Sequence, residues 1–233
     1  MADRFLGVLD PAWSRERGGG KIKRGADRHY ALAGPDQMAL EYRMSEPWPA
    51  DGVPGLLWVW ATTSTLIGGD LHALIAGLAG CRPCAGWVWA KVDGESCDGC
   101  NGEGEHGPLT SARETCDLCD GTGLRWRPPR RMGLGQWSRV EHEHLILCRR
   151  GDVSVPPPPD RPRSMIFAPR GRHSEKPEAA WRVIERVSRA VLPGVIGCEW
   201  NARVQRPGWA AFGRLDGEDK EPRFAAAKGT SDG

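Results

Sequence analysis

Cysteines recur in this chain at metal-ligand spacing. Cys97 to Gly104 reads CDGCNGEG and Cys116 to Gly123 reads CDLCDGTG, so one eight-residue pattern, C-x-x-C-x-G-x-G, occurs twice. Cys97 with Cys100 and Cys116 with Cys119 offer the four thiolates that tetrahedral zinc takes, and the glycines permit the tight turns from which each pair bites the ion. A structural Zn2+ is expected there. A second concentration of chemistry lies near the start, where VLDPAW (8–13) sets a carboxylate, a proline and an indole at the end of an apolar run. Taken alone it reads as a turn, because aspartate and proline are turn residues.

The cysteine repeat resembles half of the four-repeat zinc module of DnaJ-type chaperones, over this insertion only. That resemblance implies a structural metal and not chaperone activity. Cys81 and Cys84 make a third pair, but the segment GWVWAKV separates them from Cys97 and, as a strand, holds its ends roughly 20 Å apart at about 3.3 Å per residue. They are left out of the site. Cys148 and Cys198 fall in predicted strands, where small buried thiols are the default. From Gly94 to Leu124 the chain carries seven acidic residues and one basic one, Arg113, so this tip is not built to grip phosphate. Its exit stem, RWRPPRR, groups Arg125, Arg127, Arg130 and Arg131 around Trp126, which suits either a nucleic-acid backbone and a stacked base or a solvated charged linker.

The scaffold that must carry these groups is large enough for one α/β domain with an insertion: 233 residues. Lys and Arg (32) nearly cancel Asp and Glu (30), so any surface for a polyanion must be local. No apolar run approaches the ~20 residues of a bilayer span, and the N-terminus lacks the pattern of a secretory signal. A cytoplasmic protein without membrane association is expected, and in that setting paired cysteines favour metal over disulfides.

Short apolar runs recur: RFLGVLD, LLWVWA at 56–61, GWVWAKV at 86–92, HLILCRR at 144–150, SMIFAP at 164–169 and GVIGCEW at 194–200. Each has strand length, and near-continuous apolarity fits strands covered on both faces. Helices are predicted over 177–191, with Ala180, Ile184, Val187 and Val191 on one face, and from Asp70 to about Gly80. Segments 14–29 and 151–163 read as irregular, and 217–233 as a disordered tail. The predicted organisation is a domain over 1–93 and 132–216 interrupted by a zinc module with a basic stem at 94–131.

Taken together, LDPAW at 9–13, RHYALAGPDQMAL at 28–40, LLWVWATT at 56–63, GWVWAKV, MGLGQWSRVEHEHLILCRRG at 132–151, APRGRHSEKPEAAWRVIERV and CEWNARVQRPGWAAFGR at 198–214 resemble the N6-adenine methyltransferase family typified by the catalytic subunit of the messenger-RNA adenosine methylase, which has bacterial and phage members. The segments stand in family order and cover nearly all of the chain outside the insertion and tail. The resemblance implies a Rossmann-like α/β fold in permuted motif order, with the catalytic tetrad early and the S-adenosyl-L-methionine site built largely from the C-terminal third. It also implies the cytoplasm of a prokaryotic or phage-infected cell, and a homo- or hetero-oligomer is compatible with it.

By that resemblance the catalytic tetrad is Asp10, Pro11, Ala12 and Trp13. The Asp10 carboxylate and the Pro11 carbonyl accept the hydrogens of adenine's amino group, whose lone pair is otherwise delocalised into the ring, and Trp13 stacks on the base. Ala12 stands where the family has a second proline. Asp10, Lys176, Glu199, Arg203 and Arg214 are implied as cofactor contacts, Glu199 toward ribose hydroxyls and Lys176 and Arg203 toward the methionine carboxylate. Arg214 replaces the family's asparagine. Tyr30, Trp137, Arg139 and Glu143, with Trp13, are implied to shape the substrate pocket. DNA with a flipped target adenine is the expected partner, RNA the alternative. The departures at Ala12 and Arg214 keep open a noncatalytic nucleic-acid-binding partner of another methyltransferase.

Overall fold

The computed structural model describes residues 4–13, 34–45, 48–96, 105–106, 114–115, 124–127, 129, 140–171, 175–202 and 205–212. Its elements run β1 (Phe5–Leu9), α1 (Pro35–Met44), β2 (Gly55–Ala61), α2 (Thr63–Ile67), α3 (Asp70–Gly77), β3 (Cys81–Lys91), β4 (Asp93–Ser96), β5 (Glu105–His106), β6 (Glu114–Thr115), β7 (Leu124–Arg127), β8 (His142–Arg150), β9 (Met165–Ala168), α4 (Glu178–Val191), β10 (Gly197–Trp200) and β11 (Trp209–Phe212). They fall into two compact units: Met1–Trp87 with Glu143–Ser164 and Arg182–Gly233, and Val88–His142 with Met165–Trp181. The second unit thus takes in more than the 94–131 insertion.

In the first unit the strands lie in the order β11-β10-β1-β2-β8, with the start of β3 beside β8. β11, β10, β1 and β2 are mutually parallel, and β8 runs antiparallel to β2. Every residue of β1 and β2 is buried, as near-continuous apolarity requires of a strand covered on both faces. Leu9, Leu57, Val59, Ala61, Trp200 and Phe212 join Met38, Ala39 and Tyr42 of α1 and Leu71, Leu74 and Ile75 of α3 in one core. On the opposite face the Trp58 indole donates a 3.0 Å hydrogen bond to Ser188 Oγ of α4, whose Ile184 and Val187 are buried. Two helical layers therefore enclose a mostly parallel sheet, which is compatible with a Rossmann-like fold.

Arg150 is a buried cation at the end of β8. Its Nε and Nη2 donate to the carbonyls of Val53 (2.6 Å) and Ala50 (2.9 Å), and its guanidinium lies 4.6 Å from the Phe5 ring centre. Those contacts fix the chain entering β2, since a charged donor left unpaired at that depth is costly.

In the second unit the end of β3 pairs in parallel with β9, Val88 opposite Met165 and Lys91 opposite Ala168. The Trp89 indole donates to Ala168 O at 3.0 Å, and Lys91 Nζ sits 4.9 Å from the Trp89 ring centre. Two antiparallel ladders follow, β4 with β7 and β5 with β6. No helix among the described residues is long and apolar enough to cross a membrane.

Candidate active site

The chain leaves β1 toward β2 on one side, by way of α1, and returns to β10 on the other, by way of α4. Strand order thus reverses at β1, and ligands of open parallel sheets bind beyond the carboxyl ends of the strands at such a point. Asp10 is the first residue past β1, Asn201 the first past β10 and Thr62 the first past β2. The Asp10 N–H donates to Trp200 O at 3.5 Å, so the two strand ends are joined directly. Glu199, half-buried, lies one residue before the end of β10 with Val8 as its register partner.

The tetrad forms a tight turn. Trp13 N–H donates to Pro11 O at 2.9 Å, closing a three-residue turn about Ala12. Ala12 is not among the described residues with positive φ, so the turn is of the inverse kind, centred near φ −75°. A proline at this position would have a matching φ of about −65°. Trp13 itself is 6% exposed, and its indole N–H donates to Trp60 O at 3.2 Å. The ring therefore pins the turn to β2, and a base stacking on it would need that burial to open.

α1 is fastened to the end of β10 twice. Trp200 Nε1–H donates to Ser45 Oγ at 3.0 Å, and Ser45 Oγ–H donates to Tyr42 O at 2.7 Å, which occupies a carbonyl of the last helical turn. The Tyr42 hydroxyl donates to Asn201 Oδ1 at 2.6 Å. Burial raises the Tyr42 pKa well above the ordinary phenol value, with the Asp10 and Glu41 charges adding to the shift. The phenol stays neutral and acts as a donor.

The end of β2 is capped reciprocally: Thr65 N–H donates to Thr62 Oγ1 and Thr62 N–H to Thr65 Oγ1, at 3.3 and 3.0 Å, so α2 starts as soon as the strand ends. Thr63 Oγ1 and His144 Nε2 are 3.2 Å apart, and the register sets Ala61 opposite His144. Glu143, half-buried, is therefore at the same sheet edge as Asp10, because β8 begins where the parallel strands end.

The structure thus brings Asp10, Pro11, Ala12, Trp13, Glu199 and Glu143 to one edge of one sheet. Lys176, half-buried, precedes α4 and belongs to the second unit. Arg203, Arg214, Tyr30, Trp137 and Arg139 lie outside the described residues. So do segment 14–29 and all four expected zinc ligands, Cys97, Cys100, Cys116 and Cys119. Tyr42, Asn201, Ser45 and the Thr62–Thr65 cap were not singled out from the sequence. A threonine three residues before another threonine at a strand end was the one legible signal among them.

Two ladders flank the cysteine repeats. Ser96 pairs with Leu124 and Glu105 with Thr115, so the two eight-residue repeats, 97–104 and 116–123, are bracketed by the same two ladders. The described residues next to the repeats are thus paired with one another, Ser96 with Leu124 and Glu105 with Thr115. The stem register also opposes Arg127 to Asp93 and Arg125 to Glu95. Opposite charges facing across an antiparallel pair contribute roughly 0.2–1 kcal/mol to a ladder. By register Arg127 and Asp93 are such a pair, and Arg125 and Arg127 are both exposed. Cys81 and Cys84 sit in the first unit with Cys148: the Cys84 thiol donates to Leu147 O at 3.4 Å, and burial pushes the Cys81 thiol up to about 11.

No protein-family model matches the chain, and no curated protein matches it.

Ala12→Pro is expected to leave the turn intact and to raise stability by about 0.4–1 kcal/mol through a stiffer unfolded chain, read as an increase in the urea midpoint. Freshly purified protein is expected to contain about one zinc per chain by plasma mass spectrometry, lost in the Cys97→Ser, Cys119→Ser double variant.

Proposed function

We propose that this chain transfers a methyl group from S-adenosylmethionine to the exocyclic N6 nitrogen of adenine in nucleic acid, DNA in the first place. The observation that carries the reading is a carboxylate, Asp10, on the strand end where sheet order reverses, with Glu199 on the neighbouring parallel strand. The donor set fits the cofactor: carboxylates accept ribose hydroxyls and favour the positive sulfonium. When bound, the cofactor supplies an electrophilic methyl group. The resemblance implies Lys176, Arg203 and Arg214 as further cofactor contacts.

On the substrate side, the Asp10 carboxylate accepts one amino hydrogen of adenine. Pro11 O accepts the other with the lone pair that the Trp13 N–H leaves unused. Two acceptors draw the nitrogen toward tetrahedral geometry and restore its lone pair for attack. The Asp10 carboxylate also takes the proton that the amino nitrogen sheds. Trp13 holds the turn that aims both acceptors, and positioning with electrostatics does the remaining work. The resemblance implies Glu143, Tyr30, Trp137 and Arg139 as residues that contact the substrate. The zinc module is structural.

Labelled S-adenosylmethionine with duplex DNA, single-stranded DNA and RNA, followed by nucleoside mass spectrometry, tests the reading. N6-methyladenine is expected in DNA, and Asp10→Asn is expected to lower its rate by at least about 100-fold. Product in RNA alone moves the substrate to RNA. A parent protein that binds nucleic acid but shows no affinity for the cofactor is the noncatalytic partner, and one that binds the cofactor but methylates none of them overturns the reading.

A further inference from the structure

Asn201 has a backbone that side chains rarely adopt. Its φ of 65° is left-handed, one of two non-glycine residues with positive φ among those described. Asparagine tolerates that region better than most residues, and strained backbone of this kind gathers at ligand sites. The residue is the first past β10, beside the Asp10 strand end, and half-buried. Its amide oxygen is already taken by Tyr42, a hydroxyl that burial keeps neutral and therefore donating. An acceptor bound on one side of a planar amide leaves the N–H2 group facing away from Tyr42. Among the described residues that group has no partner.

We propose that Asn201 donates this N–H2 to an acceptor atom of the adenosyl group, a ribose oxygen or an adenine ring nitrogen. Tyr42 is the positioning residue that fixes which way the amide faces. The inference rests on the cofactor reading above and assigns it two residues 159 positions apart. The anchor is firm because the same helix end is held a second time, through Trp200 and Ser45.

Three variants separate donor, backbone and orientation. Asn201→Asp keeps an acceptor for Tyr42 and tolerates left-handed φ, but has no donor. Its added negative charge attracts the cationic cofactor, so weaker binding in this variant is not a charge effect. Asn201→Gly keeps the backbone and removes the amide. Tyr42→Phe keeps the ring and frees the amide to rotate.

Calorimetric Kd for S-adenosylmethionine, measured well below each melting temperature, is expected to rise about tenfold in both Asn201 variants and about fivefold in Tyr42→Phe. The Tyr42→Phe, Asn201→Gly double variant is expected to bind like Asn201→Gly alone, since the orientation of an absent amide has no effect. Parental affinity in both Asn201 variants overturns the assignment and leaves the cofactor reading standing. Additive losses in the double variant overturn the role of Tyr42. A folded parent that binds no cofactor overturns the cofactor reading and this one with it.

Discussion

Parallel pairing of β1 with a different strand on each side is the constraint on which the rest depends. β1 registers Leu9 with Val59 of β2 and with Trp200 of β10. Gly7 leaves room for the Leu57 and Trp200 side chains to pack over β1, because a Cβ there would lie 2.9 Å from both. A one-residue slip would put the Leu6 or Val8 side chain where Gly7 stands, against Leu57 and Trp200, so shape sets the register. That register, more than any local preference, brings Asp10 and Asn201 to adjoining strand ends.

What was legible follows from how much of each element's energy is local or periodic. β1, β2, β8, β9 and β10 were readable as short apolar runs, and α4 as a stripe of Ala180, Ile184 and Val187, because burial alone imposes those patterns. β3 begins at Cys81, five residues before the predicted run, and passes through Pro83 with exposed side chains, so no apolar signal marked it. α1 is helical although its buried face is only Met38, Ala39 and Tyr42, and tertiary anchoring at Ser45 and Asn201 supplies what the pattern lacks. The Tyr42–Asn201 bond is invisible to any windowed reading. Asp10 and Trp13 were legible as residue types, whereas the inward turn of Trp13 toward Trp60 O is a packing outcome.

The insertion shows the same division between type and placement. Its cysteine repeat is legible as spacing, and the flanking ladders then bracket both repeats together. Its basic stem read from the sequence as a surface for phosphate or a charged linker. Register sets Arg127 opposite Asp93, while the Arg125 and Arg127 side chains stay exposed.

The proposed cofactor site lies at the carboxyl ends of β1 and β10. A crystal structure of the full chain with S-adenosylhomocysteine tests it most directly. The account predicts the adenosyl group beyond those strand ends, within hydrogen-bond distance of Glu199, with its sulfur facing the Asp10 turn. An adenosyl group bound at any other edge of the sheet, or in the second unit, would contradict it.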